Sequence, residues 1–100
     1  MSIEFVTNDN IQKVSKFFKS LGDPTRLKIL LTLSEGEKNV TAITTVLDME
    51  QSAVSHQLKI LRDHHLVKTR KEGKTVYYSL DDQHVIDILQ ATFTHTNHVH

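Results

Sequence analysis

The chain has 100 residues, with 12 Lys+Arg balanced by 12 Asp+Glu, seven His, one Pro, no Cys and no Trp. That is one domain with a thin core, for which oligomerisation is an expected further source of buried surface. The lack of cysteine excludes disulfides, thiolate metal sites, iron–sulfur clusters and cysteine nucleophiles. No apolar run approaches the roughly 20 residues of a membrane span, and Met1-Ser2-Ile3-Glu4 carries no basic leader, so a cytoplasmic protein is expected.

Ile11, Val14, Phe17, Phe18 and Leu21 recur at helical spacing, predicting a first helix over about 8–21 that Gly22 ends. Asp23-Pro24 is a start signal, with Asp as N-cap and Pro at the first helical position. Leu27, Ile29, Leu30, Leu31 and Leu33 give a second helix closing near Ser34-Glu35-Gly36. Thr41 is expected to cap a short third helix carrying Ile43, Val46 and Leu47. Ser52 is expected to cap a fourth that buries Val54, Leu58 and Leu61 and runs to about His64.

From Leu66 the period changes. Val67, Thr69, Val76, Tyr77 and Tyr78 are β-formers around the charged turn Lys71-Glu72-Gly73-Lys74, which reads as a hairpin. Helix is expected to resume from Ser79–Asp82, with Asp81 as its cap, and to continue through Val85, Ile88, Leu89, Thr92 and Phe93. The expected fold is mainly α with a β-hairpin wing (α+β): four helices, a two-stranded wing and a last helix.

The zero net charge conceals a segregation. Residues 51–80 hold Lys59, Arg62, Lys68, Arg70, Lys71 and Lys74 against only Asp63 and Glu72. The last 20 residues hold three aspartates, four histidines and neither Lys nor Arg. A basic patch in a neutral chain still attracts polyanions.

Two short helices joined by a tight turn and followed by a basic hairpin make the winged helix-turn-helix plan. In it the second helix enters the major groove and the wing follows the phosphate backbone. Gln51, Ser52, Ser55, His56 and Lys59 lie opposite the apolar face of the fourth helix and are candidate DNA contacts. Gln suits adenine, and Ser is permissive. Arg70, Lys71 and Lys74 on the wing are candidate phosphate contacts, sensitive to salt.

The stretch from Phe18 to Leu30, FKSLGDPTRLKIL, resembles the second-helix signature of the ArsR/SmtB family of metal-sensing transcriptional repressors. QSAVSHQLKIL, Gln51 to Leu61, is similar to that family's recognition helix, and GKTVYYSL, Gly73 to Leu80, to its wing and exit strand. The resemblance covers nearly the whole chain. It implies a homodimer, with interface from Phe5, Ile11 and Val14 near the first helix and from the last helix. It also implies binding to inverted-repeat double-stranded operator DNA, with release when an effector binds. The whole of 1–100 is expected to form one such domain, with residues from about 81 to 98 as a metal-sensing dimerisation helix.

Family members that sense arsenic, cadmium, lead or redox state need cysteines, which this chain lacks. Asp82-x-His84 followed by His95-x-x-His98 resembles the ligand pattern of the CzrA/SmtB-type zinc and cobalt sensors. His84 and His95 stand about 16 Å apart along a continuous helix, too far to share one ion through bonds of about 2 Å. Two antiparallel copies bring the Asp82/His84 end of one chain to the His95/His98 end of the other. This gives two sites per dimer. One carboxylate and three imidazoles suit tetrahedral Zn(II), with Co(II) able to take the same geometry.

Asp87 is the rival carboxylate by helical geometry, and His100 a possible extra ligand in an alternative Ni(II)/Co(II) sensor. His64 and His65 near the end of the fourth helix read as ordinary helix-terminal imidazoles. A relay from His95 to the loop after His65 is an expected route of coupling. No enzyme is expected: a closed four-ligand site offers no open position and no general base. Neither a membrane nor a small organic substrate is expected as a partner. A metal buffer would use the histidines but leave the helix-turn-helix and wing idle.

Overall fold

The computed structural model describes residues 3–98, and its element boundaries follow from capping chemistry. Thr7 Oγ1 accepts the Asn10 N–H and opens α1 (Asn8–Leu21), which Gly22 closes by donating its N–H to Phe18 and Lys19. Asp23 Oδ2 accepts the Arg26 N–H at 3.0 Å and Pro24 takes the first position of α2 (Pro24–Ser34), as the sequence predicts.

A short strand that the sequence reading lacks, β1 (Lys38–Asn39), precedes α3 (Val40–Leu47). The cap of α3 is Asn39, whose Oδ1 accepts the Ala42 N–H at 2.8 Å, and not Thr41. The chain leaves strand pairing at Asn39 and enters the helix at once, so Thr41 falls inside the first turn. Its carbonyl there receives the Thr44 and Thr45 hydroxyls. Asp48 ends α3 in the left-handed region, at φ 52°, which Asp tolerates better than most residues.

The N-cap of α4 (Gln51–Asp63) is Glu50, without a side-chain cap bond, and Ser52 lies one turn position inside. Two strands follow, β2 (Val67–Glu72) and β3 (Thr75–Leu80). Lys71 and Glu72 are paired strand residues, so the turn is only Gly73-Lys74. Gly73 has φ 62° and Lys74 is not among the positive-φ residues, the arrangement of a II′ turn with glycine first. Ser79 and Leu80 are still strand, and α5 runs Gln83–His98.

Helix α5 is capped by Asp82, not Asp81. Asp82 Oδ1 accepts the N–H groups of His84 at 2.8 Å and Val85 at 3.3 Å. Asp81 instead extends the hairpin, donating its N–H to the Leu66 carbonyl.

The sheet order is β1-β3-β2, antiparallel throughout, with Asn39, Tyr77 and Arg70 in one cross-strand row. Ile29, Leu30, Ile43, Val54, Leu58, Leu61 and Leu66 are wholly buried, at about 1.5–3 kcal/mol for each large apolar side chain. They lock α2, α3 and α4 into one body with the base of the wing. Val46, the third apolar residue of α3 beside Ile43 and Leu47, is exposed.

Two elements are only partly joined to this core, α1 through the half-buried Phe17 and Leu21 and α5 through its first turns. In α1 only Ser20 is buried, while Ile11, Val14 and Phe18 are each more than half exposed, with Phe5 before them. In α5, Val85 and Leu89 are buried, but every described residue from Gln90 to Asn97 is exposed. Among the described residues no helix is long and apolar enough to cross a membrane.

Candidate nucleic-acid interface and metal-ligating helix

On α4 the period of the helix divides the side chains cleanly. Val54, Leu58 and Leu61 face the core, and Gln51, Ser52, Ser55, His56 and Lys59 are all exposed, as expected of a reading helix. Gln57 is different: its Oε1 accepts from Arg26 Nε at 2.9 Å, tying α4 to α2. The C-terminal end of α4 is fixed by His64, whose Nδ1 meets the buried hydroxyl of Ser20 on α1. Neither contact was visible in the sequence, because the partners lie 31 and 44 residues apart.

The wing carries its charges unequally. Lys71 and Lys74 are exposed. Arg70 is also partly exposed, but its guanidinium is committed. Nε donates to both Glu37 carboxylate oxygens, Nη2 to Glu37 Oε1 at 2.6 Å and Nη1 to Glu72 Oε2 at 2.7 Å. Its central carbon lies 4.8 Å from the Tyr77 ring centroid. The Arg70 guanidinium holds the Glu37 carboxyl below its ordinary 4.5. Glu37 first, then Glu72, makes Arg70 still harder to deprotonate. The Glu72 contact was legible as an i, i+2 pair on one strand face; Glu37 was not.

Of the four expected metal ligands, one chain brings together two. His84 Nδ1 lies 3.4 Å from Asp82 Oδ1 at the start of α5. Loss of hydration pushes the Asp82 carboxyl up. The His84 side chain and the N–H groups of His84 and Val85 outweigh this and hold it below the usual range. Because Oδ1 serves as the helix cap, Oδ2 is the oxygen left for another partner. The rival Asp87 accepts from Gln83 Nε2 at 3.0 Å. His95 is exposed on the projecting end of α5. The side chain of His98 and the whole of His100 lie outside the described residues. Among the described residues no three His, Asp or Glu of one chain gather in a metal-binding group.

The arrangement of two core-packed helices, an exposed polar face on α4 and a three-stranded wing defines a winged helix-turn-helix fold. The model of the "Bacterial regulatory protein, arsR family" matches residues 23–69. The chain is 40% identical over 92 residues to the "Transcriptional repressor SmtB homolog" of Synechocystis sp., covering 92% of this chain and 70% of that protein. It is 41% identical over 95 residues to the "Cadmium resistance transcriptional regulatory protein CadC homolog" of Staphylococcus aureus, covering 94% and 78%.

Similarity extends to solved structures. Apo-NmtR matches with a TM-score of 0.81 at 36% identity, over 99% of this chain and 83% of that one. NmtR is a Mycobacterium tuberculosis regulator. The homodimeric winged helix-turn-helix DNA-binding domain Mb0332 of Mycobacterium bovis matches at 0.86 and 26% identity, over 95% and 91%. The chain belongs to the arsR family of bacterial regulatory proteins.

Proposed function

We propose that this chain is a metal-responsive transcriptional repressor, working as a homodimer that binds inverted-repeat operator DNA and leaves it when Zn(II) is bound. In this reading residues 1–100 act as one DNA-binding domain with α5 as its sensing helix. The observation that carries it is the division of α5. Asp82 and His84 stand at its anchored start and His95 on its exposed far end, while no group of three ligands forms within the described residues of one chain. The outward apolar residues of α1 and the exposed Phe93 of α5 supply the surface a second copy needs.

For DNA, Gln51, Ser52, Ser55 and His56 present short polar groups to base edges and nearby phosphates, while Lys59, Lys71 and Lys74 neutralise phosphates. The names of the relatives include a cadmium-resistance regulator, but this chain has no sulfur ligand beyond methionine. Imidazole and carboxylate donors favour zinc, cobalt or nickel over thiophilic ions.

Asp82 and His84 of one chain with His95 and His98 of its partner would hold the ion, two sites per dimer. A bound ion supplies a cross-link between the two last helices. The exposed imidazoles fit that task because, among the described residues, no hydrogen bond holds the His95 ring or the Asp82 Oδ2 oxygen. The protein's own part is mechanical. Asp82 fixes the start of α5 and ties the ligand end to the wing through Asp81 and Leu66. A change in how the α5 helices pack is thereby passed to both reading heads.

Mixing two variants that each lack one ligand tests the shared site. His84→Asn and His95→Asn chains should each lose the intense visible bands of tetrahedral Co(II). Mixed and re-equilibrated, they should recover about a quarter of the wild-type signal, because half the dimers are then hybrids with one intact site. No recovery would refute a site shared between copies.

A further inference from the structure

Arg70, expected from the sequence to be a third phosphate contact on the wing, is built into the wing's own frame. It stands on edge strand β2, opposite Tyr77 of the central strand, which in turn pairs with Asn39 of β1. The guanidinium therefore crosses the Tyr77 ring, 4.8 Å from its centroid, and reaches Glu37 beside β1. Its Nε–Nη2 edge forks onto Glu37, Nη1 is taken by Glu72, and one face is covered by Tyr77. A single exposed ion pair contributes little, but a forked Arg–carboxylate contact within a network of charges is the exception.

The position of Glu37 gives the contact its consequence. It lies two residues before Asn39, the side chain that caps α3. Glu37 and Arg70 together thus join the outer strand of the wing to the chain entering the helix-turn-helix pair. Main-chain pairing from β1 reaches only β3 and covers only two residues, Lys38 and Asn39. With one arginine between two carboxylates, the cluster carries net negative charge and is poorly suited to receive a phosphate.

We infer that Glu37 and Arg70 are positioning residues for DNA binding: a three-strand strut that sets the angle of the wing, leaving Lys71 and Lys74 as its phosphate contacts. This rests on the DNA-binding reading above. A lysine cannot replace the arginine here, since an ammonium has neither the fork nor the flat face.

The test uses the full-length protein and a labelled duplex that the wild type selects from a random-sequence pool, with affinity measured across a range of salt. Arg70→Gln, Arg70→Lys and Glu37→Gln should each weaken binding about three- to fivefold, the scale on which such contacts act. The double variant Glu37→Gln/Arg70→Gln should be no weaker than either single one, and its salt slope should match wild type. If Arg70→Lys binds like wild type, or if Arg70→Gln lowers the slope by about 0.9, the arginine is a phosphate contact and the inference is wrong. Unchanged or tighter binding by Glu37→Gln also overturns it. A wild-type protein that retains no duplex overturns the DNA-binding reading itself, a different result from indifferent variants.

Discussion

The Ser20 hydroxyl of α1 meets the His64 imidazole at the end of α4, 2.5 Å apart, and Ser20 is only 1% exposed. Ser20 is the one fully buried side chain of a helix that packs only Phe17 and Leu21 against the core and leaves Ile11, Val14 and Phe18 outward, so it marks where α1 is held to α4. Ser20→Ala leaves the imidazole without its partner and should cost about 1–2 kcal/mol. Urea unfolding at fixed protein concentration measures it. A His64→Ala chain should lose a similar amount, and the double variant should lose less than the two combined.

Glu37 makes stability depend on acidity in a defined direction. Its carboxyl is held below 4.5 by the Arg70 guanidinium, so the folded state binds its proton less readily than the unfolded chain. The stabilisation is fully present above 4.5 and is lost as pH falls through the lowered folded value. The difference in urea midpoint between wild type and Glu37→Gln should be constant near neutrality and shrink below 4.5. A difference that grows on acidification would contradict the assignment.

Asp23 caps α2 through a 3.0 Å bond to the Arg26 N–H, and Arg26 in turn holds Gln57 of α4. Asp23→Ala should destabilise the protein by about 1 kcal/mol, and Asp23→Asn by much less, since asparagine caps as well. Thermal unfolding of the pair distinguishes loss of the cap from loss of charge.

The reading helix and the wing should respond to different probes. Lys71→Gln and Lys74→Gln should each lower the salt slope of DNA binding by about 0.9 and weaken all sequences alike. Gln51→Ala and Ser55→Ala should leave the slope in place and change which bases are preferred. Competition with non-specific duplex at several salt concentrations separates the two classes.

What the sequence disclosed was what local chemistry decides. Asp23-Pro24 starts a helix by its own side chain and ring, and Val54, Leu58 and Leu61 declare a buried face by spacing alone. Misassigned caps share one feature. Thr41, Ser52 and Asp81 are each good cap residues one or two positions from the true boundary. Strand pairing at Asn39 and the Asp81 N–H bond to the Leu66 carbonyl moved the first and last of those ends. β1 was illegible because two residues make no pattern, and it exists only by pairing with Tyr77 and Tyr78. The commitment of Arg70 was hidden for the same reason: Glu37 lies 33 residues away and joins it only through the sheet. The α5 ligand candidates came from a resemblance in pattern, and their spacing, too long for one site within a single helix, shaped the expectation of a shared site; within one chain only Asp82 and His84 come together.

The expected relay can be tested through His95. If its second ring nitrogen passes the signal to the loop after His65, His95→Asn, which leaves three donors to hold the ion in a non-tetrahedral geometry, should reduce the effect of saturating zinc on DNA affinity more than it reduces zinc affinity itself. A variant that still binds metal and keeps the full coupling would remove the relay.

On the proposed function, metal binding and DNA binding oppose one another on one dimer. The direct measurement is fluorescence anisotropy of a selected inverted-repeat duplex titrated with apoprotein, then with protein carrying one Zn(II) per chain, at the same salt. DNA affinity should be lower by at least about fivefold with zinc, the small end of allosteric coupling, with an equal loss of zinc affinity when DNA is bound. Tight zinc binding with unchanged DNA affinity would contradict it and leave the histidines as a metal site that does not act as the switch.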